Sequence, residues 1–281
     1  MMRTRRSISL WYVGSMALAS VAMLAGAQPP QAPPRSQPSQ PSQPPAQPIQ
    51  PTTTTSPEAG VMDEPLKLIG QAAKKYQDVA DYSCTLVKRE RINGVMQDEN
   101  VMEMKVRSQP FAVYMKFAEP KKMKDQEVCY AAGKNKGMMR VKAHGLGAIA
   151  GFVSIDPNDP RAKENSSHVI TEAGIGNLIE RTAKAWDFDA RVGKTQANVA
   201  DYKFNERPVT RVEIVHTEDA KAQFPYYRSV LYFDKELQLP VRVENYTWPV
   251  RGGAKEGDLL EVYNFVNLKL NVGVPDGMFN K

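Results

Sequence analysis

From residue 82 onward the chain alternates apolar and polar residues with a period of two, and that alternation limits the fold more than any other feature. Tyr82, Cys84 and Leu86 fall on one parity. Met102, Met104 and Val106 stand against Glu103, Lys105 and Arg107, and Val113, Met115 and Phe117 against Tyr114 and Lys116. Successive side chains of a strand point to opposite faces, so the pattern predicts half-buried antiparallel strands, with turns at Asn93-Gly94 and Gln109-Pro110. Residues 126–132 and 138–142 continue the meander around Gly133-Lys134-Asn135-Lys136-Gly137. Strands return at 202–204, 209–216, 227–234, 240–248 and 259–270.

Two segments carry helical spacing instead. Glu64-Pro65 opens a stripe of Leu66, Ile69, Ala73, Tyr76 and Val79. A second helix is predicted to begin near Thr171 as N-cap, with Ile170 and Ile175 as a hydrophobic staple and Ile175, Leu178, Ile179, Ala183 and Trp186 as its buried face. Helices segregated from a long antiparallel sheet define an α+β class. A sheet of that many strands must twist and curl, and its concave face needs covering by the first helix and the helical insertion at about 143–190.

The N-terminus is of another kind. Arg3, Arg5 and Arg6 precede the acid-free run MALASVAMLAGA, and Ala25-Gly26-Ala27 supplies a small-residue cleavage pattern, so residues 1–27 read as a secretory signal. No cysteine follows that run, which removes the lipid anchor of a bacterial lipoprotein. The mature chain is expected to be exported, periplasmic or extracellular, with no membrane span. Thr4-Arg5-Arg6-Ser7-Ile8 fits a twin-arginine signal poorly, because Ser9 stands where a second apolar residue is usual. Residues 28–57 hold 11 of the 21 prolines and one charge, a composition that favours an extended spacer reaching up to about 90 Å. What remains, 58–281, is expected to be a single domain.

The formal charge of +6 falls to +3 without the three signal arginines, so a general nucleic-acid reading loses its support. From Lys116 to Lys142 eight basic residues face three acids, a bias read as a solvated strand-and-turn surface, with a patch for anionic lipid or acidic partners as the alternative. The two cysteines, Cys84 and Cys129, fall on the first and fourth strands of the meander, too far apart for a bridge, and are expected as buried thiols.

Between Lys142 and Asp156 lies AHGLGAIAGFVSI, thirteen residues without a formal charge. Its glycines miss both the dinucleotide fingerprint and the phosphate loop, and a membrane span needs about 20 apolar residues. Of the three histidines, His144 and His168 bracket this stretch, while His216 sits in a strand; none is paired in sequence with a nucleophile, and Asp156 and Asp159 read as turn residues. Seven methionines lie from Met96 to Met139, without the repeated Met/His spacing of a copper site, and read as adaptable packing on the sheet face. No cofactor and no metal are expected.

The segments YSCTLVKRE, MKVRSQPFAVYMKF, ITEAGIGNLIE, LPVRVENYTWP and VYNFVNLKLNVGVPDGMF resemble an exported bacterial family catalogued as a domain of unknown function, over roughly Glu64 to the C-terminus. In order of elements the chain also looks like the LolA/LolB lipoprotein carriers and the sensor domain of the anti-sigma regulator RseB. That resemblance implies a strongly curved antiparallel sheet, an incomplete β-barrel, with helices lidding an apolar cavity. It brings no catalytic residues. Asp125 departs from the pattern, occupying a turn where glycine is expected.

Together these readings suggest a carrier or chaperone-like envelope protein, not an enzyme, that binds an acyl chain, lipid or lipoprotein. The expected lining is Met102, Met104, Met115, Phe117, Ile175, Leu178, Ile179 and Trp186, with Leu146, Ile149, Phe152 and Ile155 of the charge-free stretch as a mobile flap across the concave face. Three alternatives stay open: a flap packed shut as core, an envelope sensor or interaction module with a self-filled cavity and a protein partner, and a hydrolase.

Overall fold

A computed structural model describes residues 60–163 and 166–281, together with the backbone of Gln47–Pro48. The expected signal at 1–27 and most of the expected spacer at 28–57 lie outside the described residues. The elements run β1 (Gln47–Pro48), α1 (Asp63–Tyr76), β2 (Asp81–Ile92), β3 (Val95–Met96), β4 (Asn100–Arg107), β5 (Ala112–Glu119), β6 (Glu127–Ala131), β7 (Met139–Lys142), β8 (Phe152–Ile155), α2 (Pro160–Lys163), α3 (Ile175–Val192), β9 (Thr195–Phe204), β10 (Arg207–His216), β11 (Arg228–Asp234), β12 (Pro240–Tyr246) and β13 (Leu259–Leu270).

The strands form one antiparallel sheet in the order β1-β9-β10-β11-β12-β13-β2-β4-β5-β6-β7-β8, with β3 beside β2. Two meanders are thus joined where β13 pairs with β2, for example Phe265 opposite Leu86. The sheet stays open, because β8 and β9 belong to opposite flanks. The chain from β8 to β9 must therefore travel back over one face, and α3 lies on that path. Leu86, Met102, Met104 and Phe117 of the first meander share a core with Val212, Ile214, Leu231, Phe233 and Val243 of the second, and with Ile69, Ala72, Ile175, Ile179 and Trp186 of the two helices. Curling of so long a sheet around two amphipathic helices lets both meanders reach one core. The α+β incomplete barrel expected from the sequence is the observed architecture.

The helices meet at a glycine. A Cβ on Gly176 would lie 2.4 Å from the Tyr76 ring, so only glycine permits this approach of α3 to α1. The start of α3 differs from the sequence expectation. Ile170–Glu172 form a separate 3-10 turn, Gly174 adopts φ +94°, and the helix begins at Ile175 without a side-chain cap from its own segment. The Tyr82 hydroxyl of β2, fully buried, accepts the Ile175 N–H at 2.8 Å instead. The sheet caps the helix, a long-range partner that local sequence does not reveal.

Strand extents differ too. β9 begins at Thr195 rather than near Tyr202, and residues 152–155 form a strand rather than part of a flap. Cys84 and Cys129 are free and buried, three strand steps apart and in different clusters: Cys84 in the main core, Cys129 with Ala112, Tyr114, Ala131 and Phe279. Burial pushes the Cys84 thiol up to about 12. Asp125 has φ +67°, the left-handed geometry that accounts for the expected glycine, and its carboxylate meets Lys116 at 3.0 Å.

Candidate functional site: a partitioned groove under the central helix

Inward-facing residues of β2, β4, β5, β6, β7 and β8 enclose a cavity of about 210 Å³ beneath the start of α3. Its wall is apolar over most of its extent: Leu86, Met102, Met115, Phe117, Met123, Val128, Met139, Val141, Ile155 and Phe265, closed by Ile170 and Leu178. Four methionines lie in that wall. Unbranched thioether side chains repack easily, so the lining can adapt to apolar shapes.

A second cavity of about 500 Å³ lies along α3 toward β10, β11 and β12, with Trp186, Phe188, Ile214, Phe224, Tyr226 and Leu231 in its wall. His216 in this wall is buried: its Nδ1 donates to the Tyr226 carbonyl at 2.8 Å, its Nε2 lies 2.9 Å from Asp189 Oδ1, and its ring stacks on Phe224 at 3.9 Å. Both ring nitrogens are held, which fits a structural histidine.

The two cavities share His168, Glu172, Leu178, Arg181 and Val243 in their walls. This divide is polar and much of it is buried. Lys88 Nζ donates to Glu90 Oε2 at 2.6 Å and to Ser166 Oγ at 2.9 Å, while Glu90 also accepts from the Ser167 N–H at 3.2 Å and from the Tyr263 hydroxyl. His168 Nε2 lies 2.9 Å from Glu261 Oε2, whose other oxygen accepts from Asn245 Nδ2 at 2.6 Å. On the far side of the ring, Nδ1 sits 3.1 Å from both Glu172 Oε2 and Arg181 Nη1. The segment 166–174 is thereby tied to β2 and β13 across the groove.

The electrostatics follow from these contacts. The hydrogen bond to Glu261 raises the His168 pKa against the opposing effect of burial. Burial alone would raise Glu261, but the bond from His168, its charge and the Asn245 amide outweigh it, and the carboxyl titrates below its usual range. Among the described residues no group of three or more His, Cys, Asp or Glu side chains is arranged to hold a metal ion.

Of the residues singled out in the sequence, Met102, Met115 and Phe117 line the first cavity, Leu178 lines both, and Trp186 lines the second. Met104, Ile175 and Ile179 are buried in the core beside the groove without lining it. The flap expectation is corrected. Residues 143–151 form the loop of the β7/β8 hairpin, with a 3-10 turn at Gly145–Ala150, and Leu146 and Ile149 are 87% and 85% exposed. Phe152 is half-buried in β8 opposite Lys142, and only Ile155 of the stretch reaches the cavity. Pairing of β8 with β7 makes the stretch between them a hairpin loop at the end of the sheet, with its two large aliphatic side chains in solvent.

The polar divide was missed, although the alternation carried its signal. Lys88 and Glu90 extend the inward parity of Tyr82, Cys84 and Leu86, and Glu261 shares the parity of Tyr263 and Phe265. Charged residues on an inward parity announce a buried polar network.

A curled open antiparallel sheet with a helix-covered, methionine-lined groove is the class that fold and site define. The chain belongs to the DUF1571 family of proteins of unknown function, whose model matches residues 79–281. No curated protein matches the sequence. Among solved structures, the chain is similar to the lipoprotein LppX of Mycobacterium tuberculosis (9% identity, 76% of this chain and 98% of that one, TM-score 0.42). It is also similar to a chain of the MucA/MucB complex of Pseudomonas aeruginosa (13%, 77% and 60%, 0.43). A LolA superfamily protein from Nitrosomonas europaea gives 10% identity, 76% and 96% coverage, and a TM-score of 0.34. At such identities and TM-scores these likenesses say nothing of what this chain binds.

Proposed function

We propose that this is an exported envelope protein that shelters an apolar ligand, an acyl chain, a lipid or the acyl part of a lipoprotein, in the groove beneath α3, acting as a carrier or chaperone rather than an enzyme. The observation that carries the reading is the methionine-rich cavity closed over by Ile170 and Leu178. The signal-like N-terminus and the proline-rich spacer support export and reach, and among the described residues no helix is long and apolar enough to cross a membrane. A pocket lined mostly by apolar groups with a few convergent polar ones is the usual form of a small-molecule site.

A long-chain fluorescent fatty acid is expected to bind the protein saturably. Val128→Trp, which fills the cavity from β6, is expected to weaken that binding about tenfold or more while unfolding stays cooperative. Absence of saturable binding by the wild type, or unchanged binding by the tryptophan variant, contradicts the reading.

One observation favours a second reading, an envelope sensor with a protein partner. The segment 166–174 is pinned to Glu90 and Glu261, so the chain covers its own groove. Copurification of a stable envelope protein partner with lipid-free protein favours the sensor.

A further inference from the structure

The apolar cavity has one polar end, where each cationic side chain is held by a carboxylate. Lys88, His168 and Arg181 line it there, Arg161 lines it elsewhere, and Glu172 is the acid in the wall. Glu90 and Glu261 stand behind Lys88 and His168 and are not part of that wall. Lys88 is 8% exposed. Of its three ammonium donors, Glu90 and Ser166 take two, and among the described residues the third has no protein acceptor. An ammonium beside an apolar cavity with one donor left over can take an oxyanion through a short charge-assisted bond. Arg181 Nη1 lies 3.1 Å from His168 Nδ1 and donates to Glu172 Oε2 at 3.0 Å, so two further cationic side chains meet at the same end of the cavity around one carboxylate.

We infer that the ligand is an amphiphile with an oxyanion head, its acyl chain among Met102, Met115, Met123 and Met139 and its head against Lys88, His168 and Arg181. This inference rests on the cavity reading above and sharpens it to a ligand class. The head chemistry is shared by the carboxylate of a free fatty acid and the phosphate of a phospholipid, and an uncharged ester of the same chain lacks it. The methionines select for length and shape, and Lys88 selects for charge.

The test is competition by three ligands of one chain length, hexadecanoate, its methyl ester and palmitoyl-lysophosphatidic acid, against a fluorescent fatty acid on the full exported chain. At least one oxyanion ligand is expected to bind about tenfold or more tightly than the ester, and whichever of the two is tighter identifies the source of the head. Lys88→Met is expected to bring the ratio of oxyanion to ester affinity close to one. Because Lys88→Met leaves Glu90 without its ammonium, Lys88→Met/Glu90→Gln is measured beside it; the amide keeps acceptor capacity for Tyr263 and Ser167 without the charge. The readout is the ratio of acid to ester affinity, which a merely loosened fold does not change. Equal affinity for all three ligands, or a preference that survives in the folded double variant, overturns the head assignment and leaves the cavity reading standing. No binding of any of the three overturns both.

Discussion

Residues 143–151 and 166–174 are loop regions on either side of β8 in the chain, and they differ in where their side chains go. The first is built of glycine, alanine and aliphatics and projects Leu146 and Ile149 into solvent. The second is polar, with Ser166, Ser167, His168 and Glu172, and it crosses the groove bound to buried Glu90 and Glu261. A side chain's polarity therefore says less about its place than the partners its backbone position offers. Residues 143–151 are held in a hairpin at the sheet edge, facing no concave surface. Residues 166–174 lie between β8 and β9, on opposite sheet flanks, and there the inward carboxylates Glu90 and Glu261 meet them.

The difference should appear most strongly in stability. Glu90→Ala strips the partner from buried Lys88 and is expected to destabilise the fold by about 3–5 kcal/mol in urea unfolding, because an uncompensated ammonium stays inside. A loss below about 1 kcal/mol would break the comparison, showing that the tie across the groove is energetically idle. A pH series sharpens it. His168 has a raised pKa, so its contribution is complete below its unfolded value and is lost as pH rises through the folded value. Glu261 has a lowered pKa, so its contribution is complete above its unfolded value and is lost as pH falls through the folded one. The tie is therefore strongest between about pH 4.3 and 6.5, the unfolded values of the two groups. The stability difference between wild type and His168→Gln should shrink on the alkaline side of that window; a difference independent of pH would contradict the assignment. The smallest effect is expected at the hairpin. Leu146→Asp and Ile149→Asp should each shift stability by no more than about 0.5 kcal/mol, since neither side chain leaves a packed site. Unfolding or failed expression of either variant would return the loop to the core.

Much of this architecture was legible. Period-two alternation marked the strands, because a half-buried sheet imposes it, and the stripe from Ile175 to Trp186 marked the face of α3. Met102, Met115, Phe117 and Leu178 could be placed near a common cavity for the same reason. The start of α3 was not legible, since its cap is the Tyr82 hydroxyl, more than ninety positions away. The charge-free stretch misled because composition without periodicity carries no direction. Lys88 and Glu90 were passed over because charge is usually read as exposure, yet their parity with Leu86 already pointed inward.

Native mass spectrometry of protein purified from its own envelope tests the central claim most directly. The account predicts a folded species heavier than the mature chain by the mass of one acyl-bearing, oxyanion-headed lipid, which is shed on denaturation and diminished by Val128→Trp. A folded species with the bare mass of the polypeptide, from envelopes rich in such lipids, would contradict it.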